Sequence, residues 1–159
     1  MKNASAHLKN NKHVVMAAVE KDYRAFQYAS DKMKGDKDVV MAAVRKDYRV
    51  LQHASSKMKG NKEVVLAAVK PYGCALEYAS NEMKGDKEVV LAAINMIGWT
   101  ELKHASNEMK GDKEVVMEAV NRSIEIDVSP DRLYSLLTDF QSYPDFVPNQ
   151  SAVRILRSE

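Results

Sequence analysis

The chain has 159 residues, 45% hydrophobic and 29% charged, with a formal net charge of +2. That balance allows a packed core and excludes wholesale disorder, and the longest apolar run, about six residues, is far short of the roughly 20 that cross a bilayer. The opening residues MKNASAHLKNNKH hold no apolar stretch of a secretory signal, and Cys74 is the only cysteine, so no internal disulfide forms and a cytoplasmic location is expected.

The charge is uneven along the chain. Residues 1–60 carry 13 Lys and Arg against 6 Asp and Glu, residues 61–120 carry 7 against 10, and residues 121–159 carry 4 against 6. The basic first part suits an acidic partner, RNA or an anionic membrane. The simpler reading is a solvated face of short helices with mixed charges.

In chain order, the first words are Ala4, Ser5 and Leu8, which match Ala29, Ser30 and Met33 downstream. The chain is therefore expected to start inside a repeat. A valine pair begins at Val14, Val39, Val64, Val89 and Val115, in steps of 25, 25, 25 and 26 residues. A fixed period of this size marks a repeat array. Each unit reads as two short helices. The first opens at Asp36, Asn61, Asp86 or Asp112, residue types whose side chains cap a helix N-terminus. Asp38, Glu63, Glu88 and Glu114 follow in the first turn, where a carboxylate complements the helix dipole. Six apolar residues such as Val64 to Val69 come next, and a helix apolar on nearly every side is one packed between neighbours.

The second helix is expected to carry Leu76, Ala79 and Met83 on one stripe, with equivalents Phe26, Ala29, Met33; Leu51, Ala54, Met58; and Leu102, Ala105, Met109. Gly35, Gly60, Gly85 and Gly111 follow it, and a left-handed residue closing each helix is predicted there. Between the two helices the words vary: EKDYRAF, RKDYRVL, KPYGCAL and NMIGWTEL. The fourth has one extra residue near Gly98, Trp99 and Thr100, which predicts a longer turn. Variable turns stacked along one edge of a solenoid are common binding surfaces, so Tyr23, Tyr48, Tyr72 and Trp99 are the candidate interaction edge. The alternative is that each ring caps the core of its own hairpin.

The words resemble an uncharacterised family of short helical repeats with the signature D-x-E-V-V-L-A-A-V, a variable turn, and A-L-x-x-A-S. The resemblance covers residues 4–120. It implies a repeat scaffold, and it implies no catalysis.

At Asn121 the texture changes. Ile124, Ile126 and Val128 alternate in Arg122 to Val128, which predicts a strand. Ser129 and Pro130 then open a helix, with Leu133, Leu136, Leu137 and Phe140 at helical spacing. Tyr143, Pro144, Phe146 and Pro148 form a broken aromatic connection, and Val153 and Ile155 alternate in a second strand. The stretch SIEIDVSPDRLYSLLTDFQSYPDFVP with the following VRIL resembles the beginning of a START-like domain of the polyketide cyclase and coenzyme Q-binding type. That resemblance implies an apolar cavity for a lipid or isoprenoid quinone, faced here by Leu133, Leu137, Phe140, Tyr143 and Phe146. A lipid is expected to bind only where further strands and a long C-terminal helix complete the domain.

No catalytic, cofactor or metal site emerges from the residues. His53 and His104 sit at equivalent positions two repeats apart, roughly 20 Å by helix-packing distances, too far to share a metal. Tyr28 and Tyr78 fill the same position in other copies, so a half-buried polar aromatic accounts for all four. Cys74, beside a helix start with no base in view, reads as a small semi-buried residue. There is no phosphate-binding glycine loop, zinc spacing or G-x-S-x-G word, and no specific nucleic acid is expected. The fold expected is a mainly α solenoid of helix hairpins over residues 1–120, followed by a small α+β appendage over 121–159. The function expected is a non-enzymatic scaffold for an unidentified protein partner, with lipid binding by the appendage as the rival.

Overall fold

The computed structural model describes residues 1–125, and of residues 96–99 and 123–125 it describes the backbone alone. Every element in this span is helical. In order they are α1 (Ala6–Lys9), α2 (Lys12–Lys21), η1 (Tyr23–Tyr28), α3 (Asp31–Lys34), α4 (Lys37–Lys46), η2 (Tyr48–His53), α5 (Ser56–Lys59), α6 (Lys62–Val69), η3 (Gly73–Tyr78), α7 (Asn81–Lys84), α8 (Lys87–Ile97), η4 (Gly98–His104), α9 (Asn107–Gly111) and α10 (Lys113–Glu125), where η marks a 3-10 helix. The long helices α2, α4, α6, α8 and α10 pack in single file, and η1 to η4 pack in a parallel file beside them. This is the mainly α repeat architecture that the period predicts.

Each unit has three elements, where two helices were expected. The break falls at Ala29, Ala54, Ala79 and Ala105. Ala79, for example, is extended at φ −70° and ψ 161°. The cause is the serine that follows. Ser30, Ser55, Ser80 and Ser106 cap a fresh four- or five-residue helix, their Oγ accepting the N–H of Met33, Met58, Met83 and Met109. The stripe of Leu76, Ala79 and Met83 is still buried, because a step of three residues lies on one face of a 3-10 helix as well as of an α-helix.

The core is one continuous cluster running the length of the array. Val39, Val40, Val64, Val65, Val89 and Val90 are fully buried, as are Phe26, Leu51 and Leu76 opposite them. Each such side chain contributes about 1.5–3 kcal/mol on leaving water. The predicted caps hold: Asp36, Asn61, Asp86 and Asp112 accept the N–H of Val39, Val64, Val89 and Val115 at 3.0–3.2 Å.

Three expectations are corrected. The glycines after the short helices are not left-handed. Gly35, Gly60 and Gly85 lie at φ between −102° and −96°, and Asn10 adopts the same conformation, φ −99°, at the equivalent place. The extra residue of the fourth unit makes no longer turn: α8 runs directly into η4, and both are lengthened. The strand predicted from Arg122 is helix as far as Glu125, where it continues α10. The rest of the predicted appendage, residues 126–159, lies outside the described residues.

Candidate functional site

The array presents two edges of different character. The first is the row of long-helix N-termini. Lysine stands at the first position of α2, α6 and α8, and each reaches across to the next unit. Lys12 pairs with Asp36 at 3.0 Å and Asp38 at 2.6 Å. Lys62 pairs with Asp86 and Glu88, both at 2.8 Å, and Lys87 with Asp112 at 3.0 Å and Glu114 at 2.8 Å. Lys37 takes Glu63, since Asn61 stands where the other junctions have an Asp. Lys12 is held above its ordinary pKa by Asp38 and Asp36, Lys62 by Asp86 and Glu88, and Lys87 by Glu114 and Asp112. Partial burial pushes Asp36 and Asp86 up, but the lysine and the capped backbone N–H outweigh it and leave both below the usual carboxylate range. This edge closes its own charges.

The short helices form a backbone ladder. The N–H of Ser30, Ser55, Ser80 and Ser106 donates to the carbonyl of Lys9, Lys34, Lys59 and Lys84 in the preceding unit, at 2.8–3.0 Å. Each bond satisfies a carbonyl that a helix end leaves open.

The second edge is the 3-10 file, where the predicted tyrosines lie. Asp22 and Asp47 cap η1 and η2 by accepting the N–H of Arg24 and Arg49, and both arginines fold back onto those carboxylates. The Arg49 side-chain hydrogen bonds, with partial burial opposing them, hold Asp47 below the usual range. Arg49 Nη2 also donates to the Tyr23 hydroxyl at 2.7 Å, linking the first two units. Tyr48 packs against Tyr72 at 5.1 Å between ring centroids and Tyr78 at 6.4 Å. Its hydroxyl engages Cys74, which with partial burial pushes its pKa up to about 12. Tyr72 is the most exposed ring of the three, at 49%. The structure therefore brings Tyr48 and Tyr72 together, ties Tyr23 to Arg49, and places all three along one file. The side chain of Trp99 lies outside the described residues, as do Leu133, Leu137, Phe140, Tyr143 and Phe146.

Several features escape sequence reasoning. Tyr72 is not the counterpart of Tyr48: counted back from Ser80, it stands where Asp47 stands, and Gly73 takes the tyrosine position. Gly73 is needed for close approach, since a Cβ there would lie 2.1 Å from the Ala93 carbonyl oxygen and 2.9 Å from Glu101 Cγ. Glu101 occupies the buried place held by Ala75 and Val50. It is 6% exposed, its Oε2 has no hydrogen-bond partner, and burial raises its pKa. The doubled word Asp-Tyr-Arg at 22–24 and 47–49 was the available signal for the arginine clamps. His53 is exposed where a half-buried ring was expected, and His104 is half-buried. Cys74 is half-buried, as read.

A groove of about 240 Å³ runs between Tyr23, Arg24 and Gln27 of η1 and Arg49, Gln52 and His53 of η2. A second, of about 340 Å³, lies between α8 and α10 beside Leu91, Asn95 and Glu118. Among the described residues no three His, Cys, Asp or Glu side chains gather as a metal site requires, and no helix is long and apolar enough to cross a membrane.

The family model described as a domain of unknown function (DUF4116) matches the chain in five overlapping segments, residues 1–34, 11–59, 36–84, 61–100 and 86–126. Residues 126–159 match the model described as polyketide cyclase / dehydrase and lipid transport. No curated protein and no solved structure matches the chain. The five segments take in the whole described array, well over half of the sequence, and the chain belongs to the DUF4116 family of unknown function.

Proposed function

We propose that the array is a non-enzymatic scaffold that docks a partner protein along its 3-10 edge. The observation that carries this reading is where the units differ. Core and ladder positions hold nearly the same residue in every unit, each contacting its own counterparts. The outward 3-10 positions change: Arg24 and Arg49 give way to the half-buried Cys74 and to Thr100, and Gln27 and Gln52 to Glu77 and Lys103. A fixed frame with a varied edge is the division of labour found in solenoid binding proteins. The test is to purify the full chain with a protein it captures and to measure amide hydrogen exchange. Protection is expected in residues 22–28, 47–53 and 72–78. Protection confined to residues 126–159 overturns the reading.

The match of residues 126–159 supports a second reading, binding of a lipid or isoprenoid quinone by that segment. With the scaffold reading in force, the 159-residue chain shows no saturable uptake of ubiquinone or of a fluorescent fatty acid. Submicromolar binding that is lost in Phe140→Asp makes the lipid reading the leading one.

A further inference from the structure

The short helices lose positive charge along the array. Lys34 and Lys59 close the short helices α3 and α5, and Lys32 and Lys57 stand two residues before them. In the next two units the closing lysines persist as Lys84 and Lys110, but the preceding position becomes Glu82 and Glu108. Position for position, four lysines facing only Asp31 in the first pair of units become two lysines and two glutamates in the second. Arg24 and Arg49 are offset by Asp22 and Asp47, so the surplus belongs to the lysines. Among the described residues none of these four lysines takes part in an ion pair, whereas Lys12, Lys37, Lys62 and Lys87 are all paired.

The backbones of Lys34 and Lys59 meet at Ser55, two residues beyond His53 of the groove between η1 and η2: the Ser55 N–H donates to the Lys34 carbonyl and the Lys59 N–H to the Ser55 carbonyl, both at 3.0 Å. His53 joins the two features: it lines the groove, and its pKa is lowered by partial burial and by Lys34 and Lys59. His104, at the same position two units on, is lowered by burial and by Lys103, Lys84 and Lys110, while Glu77 opposes them. Lysines act on the imidazole at both sites, and the difference between the two pairs of units lies in the glutamates that replace Lys32 and Lys57. The groove floor is Val50, 2% exposed, flanked by two amide side chains one repeat apart, with Gln27 held by the Arg24 carbonyl at 3.0 Å. Amides and a narrow apolar floor suit a peptide backbone. Nucleic-acid bases need an open aromatic face, and Tyr23 is half-buried with its hydroxyl bound to Arg49.

We propose that the groove between η1 and η2, with Lys34 and Lys59 near it, binds an extended acidic segment of the partner protein. Packed helices stand about 10 Å apart, and an extended chain rises about 3.3 Å per residue. Carboxylates at every third residue of an extended segment point alternately to its two sides, toward Lys34 of one unit and Lys59 of the next. This proposal rests on the scaffold reading and adds the partner's chemistry to it.

The test uses the full chain and a fluorescein-labelled peptide with Glu at every third residue among Gly and Ser. Fluorescence anisotropy is read for the parent chain, for Lys34→Glu/Lys59→Glu, and for Lys84→Glu/Lys110→Glu, which makes the same change in the second pair of units. The four lysines changed are half-buried, and circular dichroism checks that the fold is kept in both variants. The expected result is binding weakened by added salt and reduced about tenfold by the first double change, with the second giving less than about a twofold loss. Absence of binding at low salt overturns the proposal. Equal losses in the two variants overturn it too, by making the attraction non-local. Tighter binding of oligothymidylate with the same lysine dependence overturns it in favour of nucleic acid, and dimerisation abolished by the first double change overturns it in favour of a second copy of the chain. A captured protein that protects the 3-10 file from exchange but ignores both variants leaves the scaffold standing and removes the acidic segment. A chain with no such protection removes both.

Discussion

The long-helix file and the 3-10 file share one backbone period, yet they tolerate change differently. In the long-helix file each side chain meets its own counterpart in the next unit. A change at one valine or one N-terminal lysine is felt at two interfaces, so the same words recur. In the 3-10 file contacts between units join unlike residues, such as Arg49 with Tyr23, and composition drifts from arginine to cysteine to threonine. The one place where drift reaches the core is the fourth unit. There a glutamate, Glu101, takes the buried site that Ala75 and Val50 hold in other units, with Gly73 opposite it. Repetition is enforced by self-contact, and it lapses where self-contact lapses.

The largest expected effect comes from breaking the period itself. Deleting Val39–Glu63, one full unit, joins Asp38 to Val64. It keeps the Asp36 cap, and Lys37 takes over from Lys62 opposite Asp86. A shorter, cooperatively unfolding helical protein is expected, because nearest-neighbour contacts re-form. Deleting Val39–Val50 removes a long helix and leaves two short-helix segments in succession. Loss of cooperative unfolding is expected, read by circular dichroism. Equal cooperativity in both deletions would sink the solenoid.

Gly73→Ala strikes the irregular junction. The new Cβ meets backbone at 2.1 Å, and backbone cannot swing aside as a side-chain tip does. Overpacking of this kind costs about 1–3 kcal/mol, which chemical denaturation should show without a change in helical content. A neutral result would mean that α8 does not approach η3 as closely as described.

Glu101→Ala should act in the opposite direction, since it restores the small residue found at Ala75. Removing a buried carboxylate with an unpaired oxygen should stabilise the chain at neutral pH by roughly 1–2 kcal/mol. The sign with pH follows from linkage. The folded pKa of Glu101 is raised, chiefly by burial, so its penalty is full above that folded pKa and vanishes below the unfolded value. The advantage of the alanine variant should therefore shrink as pH falls toward 4.5. Asp36, Asp47, Asp86 and Asp112 have lowered pKa values. Their contribution is present above the unfolded value and is lost as pH falls through the folded one. An advantage that grows on acidification would contradict the buried site.

Much of the frame is legible in the residues because its signals are local. The period, the Asp and Asn caps and the buried valines each depend on a few adjacent side chains. The break at Ala79 was missed because i, i+3 spacing fits both helix types, and only the capping serine separates them. The Lys12–Asp36 class of pairs, the serine-to-lysine backbone ladder and the approach of Gly73 to Ala93 join residues 20 or more positions apart. A single pass along the chain reads each partner as a surface charge, a cap or a turn. For the candidate edge, the tyrosines could be found by composition, but the arginine clamps and the drift in lysine charge appear only once the units are laid side by side.

Smaller effects separate capping from charge in the long-helix file. Asp86→Ala removes both the cap on Val89 and the pairing with Lys62, and a loss of about 1 kcal/mol is expected. Asp86→Asn keeps an oxygen to accept the N–H and loses only the part-buried pairing with Lys62, so it should cost less than Asp86→Ala. The native Asn61 is precedent for that residue at this place. Equal losses in the two variants would show that the ion-pair row, not the cap, holds the junction.

The smallest effect is expected at Gly85, and it tests the correction of the glycine conformation. A left-handed residue there would make any side chain strained, so alanine would destabilise by more than the usual few tenths. The structure places Gly85 at φ −99° and ψ −4°, where any residue is comfortable. Asn10 already holds that conformation at the equivalent site. A Cβ would find the Glu82 carbonyl oxygen at 3.5 Å and Ser106 Oγ at 3.6 Å, both ordinary contacts. Alanine also restricts the unfolded chain, which favours folding by about 0.4–1 kcal/mol where the native geometry suits it. Gly85→Ala should thus be neutral or slightly stabilising in thermal melts, against a clear loss for Gly73→Ala under the same conditions. A loss above about 1 kcal/mol at Gly85 would restore the left-handed cap and displace the serine that packs over it from the next unit.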